Sequence, residues 1–293
     1  MKKPLILITG KDGQLGFELA QIQSKLEDKF DFLFVGRNEF DLTNASQIKD
    51  FLLANQPNFI VNCAAFTAVD KAEIETDLAF EINAKAPALI AETCREFNCQ
   101  LIHISTDYVF NGKKKKPHEP TDSTNPINTY GLSKLKGEKL ILQNNSSAII
   151  IRTSWVYSTH GKNFVKTILK LMCEKEEINV VDDQIGNPTY AADLAAAILL
   201  MIEKLNSNLN TKHQSIYHYS NTGNISWFQF AQSIQEMSKS NCKVNPVPTS
   251  SYPTPAKRSS YSVLNCEAIT QDFDIEIKGW KVSLLDCLDK MKF

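Results

Sequence analysis

Tyr130-Gly-Leu-Ser-Lys134 holds the residues of this chain best suited to chemistry. A tyrosine and a lysine four residues apart on a helix project from one face, a turn from each other. A phenol alone titrates near ~10 and is a poor acid or base at neutral pH. An ammonium group held close favours the phenolate, lowers that pKa and makes the phenol a usable proton carrier. Upstream, Ser105-Thr106 closes an apolar run, and the Thr106 hydroxyl suits the same substrate oxygen that Tyr130 would protonate. A donor aimed where negative charge develops completes an apparatus for reducing a carbonyl, given a hydride source opposite.

The elements that must position these groups begin at Leu5–Thr9, an apolar run that reads as a fully buried strand. Gly10-Lys-Asp-Gly13-Gln-Leu-Gly16 then turns into a helix expected to reach about Leu26. Backbone N–H groups at such a helix start, with no Cβ in the way, approach a pyrophosphate closely, so Gly10 and Gly13 are candidate cofactor residues. Val35-Gly36-Arg37 ends the second strand without the acidic residue that a ribose 2′-hydroxyl calls for. Arg37 facing a 2′-phosphate points to NADPH; Arg37 merely solvated, with Glu39 close by, leaves NADH as the alternative. Asp41-Leu42 is expected beside the adenine. The small residues of Asn62-Cys-Ala-Ala65-Phe-Thr67 either let the backbone lie against the cofactor or pack strand against helix.

Further apolar runs at Phe32–Val35, Phe59–Val61, Leu101–Ser105 and Ala148–Arg152 alternate with helical patterns near 46–55, 76–97 and 130–143. That alternation predicts an α/β fold, a Rossmann-type doubly wound parallel sheet covered on both faces. Beyond Arg152 the reading is a helix at 162–175, a strand at Ile178–Val181, a buried helix at Ala191–Lys204 and a strand at Ile216–Ser220. Ser226 caps another helix, and the proline-bearing stretch from Asn245 to Ala256 reads as a loop.

With 43% hydrophobic and 22% charged residues and a net charge of -1, the composition gives no reason to expect nucleic acid or an anionic membrane as a partner. Met1-Lys2-Lys3-Pro4 leads into an apolar run too short to span a bilayer, so a cytoplasmic protein is expected. The seven cysteines are scattered with no Cys-x-x-Cys pair, which predicts reduced thiols rather than disulfides or a zinc site. The five histidines lack metal-ligand spacing, and His103 reads as an ordinary strand residue.

The glycine loop with Tyr-x-x-x-Lys resembles the extended short-chain dehydrogenase/reductases. Within them, Asn62-Cys-Ala-Ala-Phe-Thr-Ala-Val-Asp-Lys-Ala-Glu73, Ser105-Thr-Asp-Tyr-Val-Phe-Asn-Gly112 and Arg152-Thr-Ser-Trp-Val-Tyr157 resemble the dTDP-4-dehydrorhamnose reductase family. So do Gly161-Lys-Asn-Phe164, Asp183-Gln-Ile-Gly-Asn-Pro-Thr189 and Tyr252-Pro-Thr-Pro-Ala-Lys-Arg258. The resemblance implies Thr106, Tyr130 and Lys134 as the catalytic set. It implies Gly13, Gln14, Leu15, Asp41, Leu42, Ala65, Phe66, Thr67 and Ile104 along the dinucleotide, with Tyr130 and Lys134 at its nicotinamide ribose. For the sugar nucleotide it implies Thr106, Asp107 and Trp155, with Val69, Asn163 and Arg258 as further candidates. Trp155 suits the pyranose or the base, its alternative being a core tryptophan; Arg258 suits a diphosphate, its alternative being a surface arginine.

Two positions depart from the family's usual pattern: Ser259 follows Arg258 where proline is common, and Phe66 stands where Tyr or His is common. Neither removes a catalytic group. Some members dimerise through magnesium held by glutamates; Glu18 matches one such position and Ala192 replaces another, so no metal is predicted and the chain is expected as a monomer or homodimer. The implied division is 1–155 for the dinucleotide-binding domain, with a return segment 190–220, and a smaller C-terminal α/β sugar-nucleotide-binding domain from 156–189 and 221–293. The expected reaction is reduction of the 4-keto group of a dTDP-6-deoxy sugar by NADPH (or NADH). A sugar-nucleotide epimerase or dehydratase is the first alternative, though Tyr108 after Asp107 breaks the acidic pair of a dehydratase. A dinucleotide-binding regulatory subunit, like that of methionine adenosyltransferase, is the second.

Overall fold

The computed structural model describes residues 2–207 and 213–291. The first half alternates Leu5–Thr9 (β1), Gln14–Ile22 (α1), Asp31–Val35 (β2), Ala45–Asn55 (α2) and Phe59–Asn62 (β3). Val69–Ala72 (α3), Thr76–Phe80 (α4), Ala86–Glu96 (α5), Gln100–Thr106 (β4), Thr129–Asn144 (α6) and Ile149–Thr153 (β5) follow. Next come Val156–Tyr157 (β6), Phe164–Glu174 (α7), Glu177–Val181 (β7), Ile185–Gly186 (β8), Thr189–Tyr190 (β9) and Ala191–Ser207 (α8). Ile216–Tyr219 (β10), Ile225–Ser226 (β11), Trp227–Ser238 (α9), Lys243–Val247 (β12), Glu267–Phe273 (α10) and Trp280–Met291 (α11) complete the series.

Six parallel strands form the central sheet in the order β10-β5-β4-β3-β1-β2. β1 is apolar up to its closing Thr9 because both of its faces are covered: Ile6 and Ile8 pack with α1, α8 and α10, and Leu7 packs with α2, α5 and α6. The chain leaves β1 outward to β2 and returns to the other side for β3. Connections therefore diverge at the carboxyl ends of β1 and β3, which opens a crevice there.

A separate apolar cluster joins α7, α9 and α11 to β7 around Tyr157, Phe230 and Trp280. The Ser226 cap is a full capping box, its hydroxyl accepting from Gln229 N–H and the Gln229 side chain accepting from Ser226 N–H. Two expectations are corrected. The stretch read as a loop from Asn245 begins inside β12, which pairs parallel with β7. Pro246 is tolerated because each strand of a two-stranded sheet is an edge and can lack one ladder donor. The helix expected over 76–97 is broken by a π turn at Glu81–Lys85. All seven cysteines are free, and Cys173 is the exposed one. Among the described residues no helix is long and apolar enough to cross a membrane.

Candidate active site

A cavity of about 840 Å³ occupies the crevice above β1 and β3. Gly10, Gly13, Gln14, Leu15, Arg37, Asp41, Leu42, Ala65, Phe66, Thr67 and Ile104 line it, together with Val69, Thr106, Asp107, Tyr130, Lys134 and Trp155. The structure thus brings nearly all the sequence-predicted residues to one cavity, along with Ser105, Ser154 and Lys162, which the sequence reading did not single out.

At one end the glycine loop has the form a dinucleotide requires. Gly10 has φ +72°, and a Cβ on it would lie 2.9 Å from Ala64 N, so glycine is needed for both backbone shape and space. Gly13 N–H donates to Gly10 O (2.9 Å), and Gly13 caps α1 in an extended conformation. At the rim, Lys11 and Gly36 N–H both bond the Glu39 carboxylate (2.6 and 3.0 Å). The Arg37 side chain is 76% exposed, with Nε 4.0 Å from Asp41. Hydrogen bonds from Thr43, its backbone N–H first, hold the Asp41 carboxyl below its usual range.

α6 carries Tyr130 and Lys134. Asn128 starts it by accepting from Gly131 N–H (2.8 Å), and Glu73 accepts from both the N–H and the hydroxyl of Thr129 (2.9 Å each). Asn83, in the π turn, accepts from Phe66 N–H (2.9 Å) and donates to Phe66 O and Ser133 Oγ (3.0 Å each). One buried amide therefore clamps the cavity wall at Phe66 to the helix of the tyrosine and lysine. Nothing in the local sequence marks this role, because all three partners lie far along the chain.

The electrostatics differ from the simple tyrosine–lysine picture. Burial pushes the Tyr130 phenol up to about 12; a hydrogen bond with Thr106 opposes the shift and the Asp107 charge adds to it. Burial also lowers the Lys134 ammonium to about 8, with Glu138 opposing. Lys134 Nζ is within hydrogen-bond distance of His103 Nε2 (3.0 Å) and donates to Ile104 O (2.7 Å). The expected depression of the phenol is thus absent: desolvation dominates, and the lysine is held by strand β4 instead of by Tyr130. Asp107, beyond Thr106, is pushed up to about 6 by burial against the pull of the Ser262 and Thr106 hydroxyls.

Trp155 has φ +48°, a left-handed conformation uncommon for a bulky residue. Its indole stacks on Trp227 with centroids 3.5 Å apart and planes at 9°. Two candidates stand back from the cavity. Asn163 caps α7 and donates to Gln14 Oε1 (3.0 Å) and Ser158 O (2.7 Å). Arg258 pairs with Asp70 (2.7 Å) and donates to Ala256 O (2.9 Å). Glu18 is buried on α1 and accepts from Ser158 Oγ (2.6 Å).

Residues 2–293 match the family model described as RmlD substrate binding domain. A dTDP-4-dehydrorhamnose reductase of Aggregatibacter actinomycetemcomitans is 37% identical over 285 residues, covering 95% of this chain and 96% of that protein. A crystal structure of a dTDP-4-dehydrorhamnose reductase from Clostridium acetobutylicum aligns with a TM-score of 0.91 at 37% identity, over 99% of this chain and 100% of that one. Another, from Bacillus anthracis in complex with NADP, aligns with a TM-score of 0.90 at 37% identity, over 98% and 99%. A match over this length, in sequence and in fold alike, places the chain in the dTDP-4-dehydrorhamnose reductase family of extended short-chain dehydrogenase/reductases.

Proposed function

We propose that the protein uses NAD(P)H to reduce the 4-keto group of dTDP-4-dehydro-6-deoxy-L-mannose, giving dTDP-L-rhamnose. The observation that carries this reading is a single cavity lined both by the glycine loop and by Thr106, Tyr130 and Lys134. A dinucleotide fits the residues present: a glycine that no side chain can replace stands at the α1 start, small residues line the β3 end, and Arg37 at the rim favours a 2′-phosphate. The relatives' names supply the sugar nucleotide.

When bound, the reduced nicotinamide supplies a hydride to the ketone carbon. Tyr130, kept neutral by burial, donates its proton to the oxygen on which charge develops. Thr106 turns its hydroxyl hydrogen from Asp107 to the same oxygen, lowering the cost of that charge. Lys134 presents its remaining N–H to the cavity, where it would hold the nicotinamide ribose. Trp155 lays a flat apolar face along the substrate, and its backbone strain fits a residue fixed for that purpose.

We also propose the division expected from sequence: 1–155 with 190–220, and 156–189 with 221–293. It is supported by the separate apolar clusters on the sheet and around Phe230, with the exception of α10, which lies within 221–293 yet packs Ile269 and Phe273 into the sheet cluster.

The test is the loss of near-ultraviolet absorbance of NADPH, then NADH, with the 4-keto-6-deoxy-L-sugar nucleotide, in the wild type beside Tyr130→Phe. The expected result is oxidation that falls by about a hundredfold or more in the variant. A wild type that binds cofactor yet oxidises none would transfer the weight to an epimerase or a regulatory subunit.

A further inference from the structure

Thr9 and Asn62 close β1 and β3, His103 lies midway along β4, and the three stand side by side, paired in register. All are essentially buried, as is Lys134, which reaches His103 from α6. Thr9 Oγ1 and Asn62 Oδ1 are 2.7 Å apart, Asn62 Nδ2 and His103 Nδ1 3.0 Å, and His103 Nε2 and Lys134 Nζ 3.0 Å. The file runs from the sheet core to the amine that faces the cavity. Burial, reinforced by the lysine beside it, holds the imidazole well below its ordinary value and therefore neutral.

A neutral imidazole donates at one nitrogen and accepts at the other. With Asn62 Nδ2 donating to Nδ1, the ring hydrogen lies on Nε2. Lys134 must then accept it, which only the uncharged amine can do. With the Asn62 amide turned over, Oδ1 accepts from Nδ1–H, and Nε2 accepts from the ammonium of Lys134. Each charge state of the lysine thus has an arrangement in which both ring nitrogens of His103 are paired, and the histidine need never ionise. An ammonium in this place gives one N–H to His103 and one to Ile104 O, leaving the third for the cavity. Among the charged neighbours, Glu138 one turn along α6 acts on Lys134, and it is itself neutralised by Arg152 of β5 and bonded by Ser105. Tyr130 lies one turn before Lys134, and Asp107 follows β4 beyond Thr106.

We infer that His103 is a positioning residue for Lys134: its tautomer, set against Asn62, follows the lysine's charge, so that Nζ can lose and regain a proton without losing its place. The inference rests on Lys134 serving the reductase reaction proposed above, but its direct test does not need turnover.

The protein labelled with 15N-histidine is titrated by NMR from about pH 6 to 10, with the His103 ring resonance assigned by its loss in His103→Phe. The expected record is a ring that stays neutral and passes from Nδ1–H to Nε2–H with a midpoint near 8, the value to which burial brings Lys134. In Lys134→Met that passage is expected to vanish. A ring that charges, or one that keeps a single tautomer throughout, overturns the inference even if the enzyme is a reductase. In kinetics, His103→Phe keeps the ring volume but neither nitrogen, and kcat is expected to fall by about tenfold to a hundredfold. The KM for NADPH is expected to stay within about threefold, with the pH midpoint of kcat displaced. His103→Gln, which can still accept from Nζ, is expected to recover part of the loss. An unchanged pH profile in His103→Phe, with wild-type turnover present, also overturns it.

Discussion

A carboxyl group that is buried without a cation must lose stability when it ionises, and Asp107 is such a group. Its pKa of about 6 in the folded protein lies above the ordinary 3.8, so the folded state holds the proton more tightly. Stability is therefore lost as pH rises from about 4 through 6, and the full penalty applies above that window. Asp107→Asn is expected to add about 3 kcal/mol of stability above pH ~7 and under ~1 kcal/mol near pH ~4. Urea melts at the two pH values measure the difference. At this scale the sequence was legible where chemistry follows local spacing. Tyr130 and Lys134 declare themselves because a helix places i and i+4 together. His103 shows nothing of its part, since its partners Asn62 and Lys134 are 41 and 31 residues away. Periodicity marks a buried strand position without telling what the side chain meets across the sheet.

The catalytic helix is positioned by close contact as much as by hydrogen bonds. A Cβ on Gly137 would lie 2.1 Å from Asn83 O, a backbone atom of the π turn. That turn cannot yield freely, because the Asn83 side chain is bonded to Phe66 and to Ser133. Gly137→Ala is expected to push α6 away from the turn, at a cost of about 1–3 kcal/mol in overpacking. Both kcat and the KM for cofactor should worsen, since Lys134 lies on the helix and Phe66 on the cavity wall; thermal melts with steady-state kinetics check this. Most elements were readable because apolar runs and caps are local signals: the β1 strand, the glycine turn and the Ser226 cap all stand where they were expected. The π turn was not, since a helix with one widened turn keeps nearly the same apolar pattern. β12 was missed because proline argues against a strand unless the sheet has only two, which local sequence does not reveal.

At the scale of the molecule, the glycine loop is tied to the second apolar cluster through a few side chains. Gln14 donates to Val156 O (3.3 Å) and accepts from Asn163 (3.0 Å), while His160 stacks on Phe17 with centroids 4.3 Å apart. Asn163, named from resemblance as a substrate residue, sits in this joint and caps α7. Asn163→Ala is expected to cost about 1 kcal/mol as a lost cap and to raise the KM for NADPH several-fold with kcat little changed. Melting and cofactor titration test the two effects together. The doubly wound sheet was legible from the alternation of elements, whereas the joint depends on how the later segments fold back, which no local pattern specifies. Trp155, which stacks on Trp227, lines the cavity. Two indoles this close and this parallel do not absorb and emit as independent chromophores. Their transitions mix, so the intrinsic near-ultraviolet optical activity of the protein reports the angle between them. Any ligand that tilts Trp155 within the cavity is thereby visible to polarised light, with no label and no turnover required.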